Sequence, residues 1–124
     1  MDMFKITTEV RALLLDNPNI VSLIEDKIFT VIAPESTEGD FITYQRDGYK
    51  QVYTKYGVAD QIPYVNVVAV SDDYNRNQEL AVLIYDTLSG DFRNPDMHIQ
   101  LEDSTEDFID GKFIQILQFS IQQK

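Results

Sequence analysis

The sequence predicts an α+β fold: a mostly antiparallel sheet with two N-terminal helices and one long helix packed on it. Strand-like runs are clustered in the middle and at the end of the chain, and they do not alternate strictly with helical segments. Two pairs, Asp47-Gly48 and Asp110-Gly111, favour the tight turns that join antiparallel strands. Clustered strands and hairpins are typical of α+β proteins, whereas a doubly wound parallel sheet requires regular alternation.

The first 24 residues predict two amphipathic helices. Asp2 is a candidate N-cap, and apolar residues follow it at helical spacing. These residues are Met3, Ile6, Val10, Leu13 and Leu14. Asn17-Pro18 ends the first helix because the residue before a proline avoids helical torsions, and the same pair suits the start of a second helix. The expected buried face of the second helix is Ile20, Leu23 and Ile24.

The next segment predicts one strand and a hairpin. Residues 27–33 are rich in β-branched and aromatic side chains, and Pro34 with the polar stretch after it ends this strand. Residues 41–46 and 49–55 are also strand-like. Because Asp47-Gly48 separates them, we expect a two-residue hairpin turn at this pair.

The second half predicts a central strand, the long helix and a closing hairpin. Residues 62–70 are dense in Val and Ile, which favours a strand buried on both faces. Ser71-Asp72-Asp73 supplies N-cap candidates for a helix that ends near Gly90. Its apolar stripe is Leu80, Leu83, Ile84 and Leu88. Residues 97–101 and 112–122 alternate as strands, and the second folds back at Asp110-Gly111.

Composition restricts the chemistry that this chain can perform. The 124 residues fit a single domain, 1–124, and none of them is a cysteine. His98 is the only histidine, and no GxSxG, GxGxxG or Walker-type motif is present. We therefore expect no catalytic residues, no cofactor and no enzymatic activity. No apolar run approaches the ~18 residues of a membrane span, and the first ten residues lack the layout of a secretion signal.

The charge balance argues against binding to a nucleic-acid backbone. The chain carries 21 acidic residues against 10 Lys and Arg, a formal net charge of −11. Sequence-specific nucleic-acid binding depends on cationic patches, and no Lys/Arg cluster stands out. An anionic surface is most simply a solvated one. The functional interpretation is that this anionic surface lines a passage to which DNA must not adhere.

Residues 96–110 hold six carboxylates and no Lys or Arg. The six are Asp96, Glu102, Asp103, Glu106, Asp107 and Asp110. Carboxylate oxygens attract Ca²⁺ or Mg²⁺, but the spacing does not match the DxDxDG calcium loop. A solvated acidic loop is the default interpretation, and no metal site is assigned.

Tyrosines are concentrated around the predicted first hairpin. Five of them fall within 21 residues: Tyr44, Tyr49, Tyr53, Tyr56 and Tyr64. Tyrosine is enriched at protein interfaces because it combines apolar area with a hydroxyl group, but it also suits β-strands generally. Both interpretations remain open from the residues alone.

Several segments, in order, resemble the phage tail-completion family, also described as tail terminator or head–tail joining proteins. Residues 25–46, EDKIFTVIAPESTEGDFITYQR, are similar to the family's "acid-basic-Ile-aromatic … Ala-Pro … Tyr-Gln" order. Residues 64–90 resemble its strand, aspartate-aromatic turn and apolar-rich helix. Residues 107–122 resemble its closing strand, and residues 3–15 fit its opening helix. The resemblance covers most of the chain.

This resemblance implies a structural virion protein without catalysis. Its subunits would form a ring, commonly a hexamer, that caps the tail tube and binds the head connector, with the host cytoplasm as the location before assembly. With this expectation, Tyr49, Tyr53 and Tyr56 become predicted interface residues. Four acids, Glu102, Asp103, Glu106 and Asp107, become predicted lumen residues.

Two alternatives come from other functional classes. A small acidic module or inhibitor that mimics nucleic-acid charge is favoured by the net charge of −11. A hydrolase that uses the acids around Glu102 is the weaker alternative. Ring formation supports the structural protein, whereas binding to a basic nucleic-acid enzyme supports the mimic.

Overall fold

The computed structural model describes residues 3–93 and 95–123, which form one six-stranded sheet, a short 3-10 helix and three α-helices. The helices are the 3-10 turn Met3–Lys5, α1 (Ile6–Leu15), α2 (Pro18–Ile24) and α3 (Tyr74–Leu88). The strands are β1 (Ile28–Thr30), β2 (Phe41–Thr54), β3 (Gly57–Ser71), β4 (Gly90–Phe92), β5 (Met97–Ile109) and β6 (Lys112–Gln123). The sheet order is β1-β2-β3-β6-β5-β4, and only the β1–β2 pair is parallel. The α+β prediction is confirmed.

The hydrophobic core lies between the helices and one face of this sheet. Every third or fourth residue of the helices is buried, as the periodicity predicts. The buried helical residues include Ile6, Val10, Leu14, Ile20, Ile24, Leu80, Ile84 and Leu88. The sheet contributes, among others, Val65, Val67, Ala69, Leu117, Phe119 and Ile121. The Asn17 side chain caps α2 as expected, accepting hydrogen bonds from the amides of Asn19 and Ile20. The predicted cap Asp2 lies outside the described residues.

In residues 3–93 and 95–123, no helix packs on the opposite face of the sheet, and we call it the helix-free face. It includes Thr43, Asn66, Val68, Ile116 and Gln118, which the strand register places side by side. These side chains are half-buried. Residues 62–70 therefore do form part of a central strand, but only its helix-side residues are fully buried.

The sequence placed the first hairpin turn at the wrong position. Asp47-Gly48 lies inside β2, where the register with β3 shifts by one residue, and Gly48 does not adopt the positive φ of a two-residue turn. The shift is a β-bulge because β3 continues from Tyr64 back to Gly57 and pairs with β2 on both sides of Asp47. The chain turns at Lys55-Tyr56 instead, before Gly57 at φ +119°.

Other boundaries also differ from the prediction. β1 ends at Thr30 rather than residue 33, because Val31 adopts φ 65°. The acidic stretch is a strand and not a loop, since β5 stays paired with β6 until Ile109 faces Lys112. Leu23 is exposed rather than buried. The turn at Asp110-Gly111 is confirmed, with φ 52° and 79°.

Candidate assembly interface

The most exposed apolar side chains on the sheet lie on a two-stranded arm. This hairpin arm, residues 49–62, extends past the end of the β3–β6 pairing, which stops where Tyr64 faces Ser120. Tyr53 is 68% exposed and Tyr56 is 89% exposed. The Lys55 ammonium lies 5.1 Å from the centre of the Tyr56 ring. A two-stranded arm with exposed tyrosines is marginally stable alone, so it is suited to being covered by another molecule.

Tyr49 is half-buried on the helix side of the sheet, unlike the two exposed tyrosines of the arm. The bulge at Asp47 turns Tyr49 toward the helices, where its ring stacks on Phe4 with the ring centres 4.5 Å apart. The Arg46 guanidinium lies 4.5 Å from the centre of the same Phe4 ring. The three predicted interface tyrosines are therefore not brought together, and the interface prediction now rests on Tyr53 and Tyr56.

Three of the four predicted lumen acids lie on the helix-free face. Asp103 faces Gln118 and Asp107 faces Ile114, both on that side of the sheet. Glu102 lies in the β5 bulge and accepts a hydrogen bond from the Ser120 hydroxyl at 2.6 Å. All three are exposed, so they give one half of this face a negative charge.

Glu106 points to the opposite side of the sheet. It faces Gln115 and lies beside Tyr74 at the start of α3. A hydrogen bond with Glu106 raises the pKa of Tyr74 above its ordinary value, and partial burial and the Glu106 charge act in the same direction. Glu106 thus contributes to the helix side and is separated from the other three acids.

A polar network that the sequence analysis missed fixes the start of α3 to the sheet. The buried Asp40 carboxylate accepts hydrogen bonds from the Ser71 hydroxyl at 2.8 Å and from Arg76 Nε at 3.1 Å. The Ser71 oxygen in turn accepts from the Asp73 amide at 3.1 Å. The hydrogen bond to Asp40 raises the pKa of Arg76 above its ordinary value. The sequence around Asp40 does not indicate this role, because the partners of Asp40 lie more than 30 positions away along the chain.

Asp40→Ala is expected to lower the free energy of unfolding by about 1–3 kcal/mol, because it leaves the buried Ser71 hydroxyl without its acceptor. Urea denaturation of the purified chain measures this loss. Glu38→Ala, an exposed carboxylate in the same loop, is the matched control and should change stability by less than about 0.5 kcal/mol. Equal effects of the two substitutions would contradict the assigned role of Asp40.

His98 contacts two polar side chains of the sheet. Its Nδ1 lies 2.9 Å from Asp91 and its Nε2 lies 3.4 Å from Gln100 on the partly exposed sheet surface. Within residues 3–93 and 95–123, no three His, Asp or Glu side chains are grouped to hold a metal ion. In the same ranges, none of the helices is long and apolar enough to cross a membrane.

The architecture has a counterpart among solved structures. The chain is similar to one from a structure described as the virion of a native gene transfer agent particle, with a TM-score of 0.75. The similarity covers 93% of this chain and 92% of that chain, at 10% sequence identity. The two chains share a fold. No family model and no curated protein matches this chain.

Proposed function

We propose that this chain is a non-enzymatic structural protein of a tailed phage or prophage. It forms a ring, commonly a hexamer in the family that it resembles, caps the tail tube and joins the tube to the head connector. The observation that carries the proposal is the near full-length fold similarity to a chain of a gene transfer agent virion. The order of motifs along the sequence supports the proposal independently, because it is a feature of the residues and not of the fold.

The surfaces of the chain are consistent with this role. An exposed aromatic arm suits contact with a neighbouring subunit or with the tube. The helix-free face carries Glu102, Asp103 and Asp107, which would repel the DNA backbone if this face lines the passage. Glu106 lies on the other side of the sheet, opposite Gln115 and beside Tyr74.

Deleting the gene from the phage or prophage that encodes it is expected to leave heads and tails unjoined, with tails of abnormal length in electron micrographs. A plasmid copy of the unaltered gene should restore complete particles. A copy with His98→Ala should restore them equally, because no chemistry is assigned to that side chain. Normal particles after deletion would refute the structural role. If the His98→Ala variant folds normally but does not restore complete particles, the proposal that the protein is non-enzymatic is wrong.

A further inference from the structure

In the described part of the chain, both β2 and β5 have an open edge over more than half of their length. At one edge, β1 pairs only with Ile42–Tyr44, so residues 46–54 of β2 have no strand beside them in the described part of the chain. At the other edge, β4 pairs only with Met97–Ile99, so residues 100–109 of β5 are open. An open strand edge presents unpaired backbone N–H and C=O groups, and it can be extended by another strand.

The two open segments match in length and direction. Each spans roughly 30 Å of strand at about 3.3 Å per residue. β2 and β5 run in opposite directions within the sheet, because three antiparallel pairings separate them. Copies related by rotation about an axis along the strands would therefore present β2 and β5 to each other as an antiparallel pair.

The charges of the two segments are complementary. The β5 segment carries four carboxylates and no Lys or Arg. The β2 segment carries Arg46, Asp47 and Lys50, a net charge of +1, and Lys55 follows at its end. Lys50 is exposed and has no ion-pair partner among the described residues. Pairing of two β5 edges would place like charges opposite each other, which is destabilising. Pairing of β2 with β5 is thus favoured over a symmetric β5–β5 contact.

When the two segments pair antiparallel over their whole length, Lys50 and the acids near it lie on the same face of the sheet. It places Lys50 opposite Thr105, with Asp103 and Asp107 two positions to either side on β5. Lys50 lies on the helix-free face, one residue after the helix-facing Tyr49, and Asp103, Thr105 and Asp107 lie on that face as well. Diagonal neighbours on one face are ~7–8 Å apart, within reach of a lysine side chain.

We propose that residues 46–54 of one copy pair antiparallel with residues 100–109 of the next copy, so that Lys50 lies between Asp103 and Asp107 of its neighbour. The inference rests on the proposed ring and names the two surfaces that build it. The contact joins two different surfaces, so repetition continues beyond a dimer and closes into a ring when the rotation from copy to copy divides a full turn. The open segments are the C-terminal parts of two oppositely directed strands, so they lie at opposite ends of the sheet, and the resulting stagger corresponds to the strand tilt of closed barrels.

Engineered cysteines test this contact cleanly because the chain has none of its own. Within one chain, Lys50 and Thr105 are about 14 Å apart across the sheet and a further ~20 Å apart along the strands, so a disulfide between the two positions must join two copies. The Lys50→Cys, Thr105→Cys double variant is expected to give a ladder of covalent oligomers under mild oxidation. An equal mixture of the two single variants should stop at covalent dimers. The control pair Lys5→Cys, Thr105→Cys should remain uncrosslinked.

Reversing the charges of Lys50, Asp103 and Asp107 tests the same contact without a disulfide. Lys50→Glu is expected to weaken self-association about fivefold or more in sedimentation velocity, and adding Asp103→Lys and Asp107→Lys should recover most of it. Lys5→Glu is the control of equal charge. The proposal is overturned if the protein stays monomeric, if Lys50→Glu has no more effect than Lys5→Glu, or if the cysteine ladder is absent. The gene-deletion phenotype is independent of these results, so the structural role can stand while this contact fails.

Discussion

Replacing Tyr53 and Tyr56 together with Ser is expected to abolish ring formation and to leave the unfolding midpoint of the monomer nearly unchanged. Both side chains are mostly exposed in the monomer, so their removal costs little folding energy. At an interface, a buried tyrosine is worth ~2 kcal/mol or more, about 30-fold in the dissociation constant for each residue. Sedimentation velocity measures assembly, and urea denaturation of the monomer measures stability.

Two matched variants make this result interpretable. Tyr85→Ser removes a tyrosine that is 45% exposed on α3, away from the arm, and should preserve both assembly and stability. Tyr49→Ser should preserve assembly by the folded protein but lower its free energy of unfolding by about 1–3 kcal/mol, because the stack on Phe4 is lost. If the Tyr53 and Tyr56 variant unfolds readily but its folded fraction still assembles, these tyrosines serve the monomer and not the interface.

Changing Glu102, Asp103 and Asp107 to Lys is expected to create salt-sensitive DNA binding. The three substitutions concentrate positive charge on the helix-free face and move the net charge from −11 to −5. If each lysine contacts one phosphate, affinity should fall about 40-fold between 50 and 200 mM salt. Fluorescence anisotropy of a labelled duplex measures binding of both the ring and the monomer.

The control for this prediction carries the same charge on another surface. Asp16, Glu79 and Asp86 are exposed acids of the helical layer, and changing them to Lys also moves the net charge to −5. Asp103 and Asp107 also face Lys50 of the neighbour in the proposed contact, so Lys50→Glu is added to the helix-free variant to keep its ring, and Lys5→Glu is added to the control to match its charge. The assembled ring with helix-free lysines should then bind DNA more tightly than the assembled control, because a lumen surrounds the duplex with every subunit. Equal binding by the two variants would contradict a lumen formed by the helix-free face.

The sequence reliably determines the features that depend only on residues close together along the chain. The Asp110-Gly111 turn forms as predicted because both of its residues tolerate positive φ, whatever surrounds them. The Asn17 cap and the apolar stripe of α3 are likewise confirmed, since each depends on residues within one or two turns of helix. These elements are enough to predict the α+β class.

Pairing between distant strands decides what the sequence left ambiguous. Asp47-Gly48 suits either a turn or a bulge, and it is a bulge because residues 57–63 supply a partner for the far half of β2. That extra residue turns Tyr49 toward the helices, where it packs against the core, whereas Tyr53 lies beyond a second register shift on the arm and stays 68% exposed. The pairing of β5 with β6 similarly places Asp103 and Asp107 on one face and Glu106 on the other. Side chains alternate along a strand, so the face of each one is determined only when the register with its neighbours is fixed.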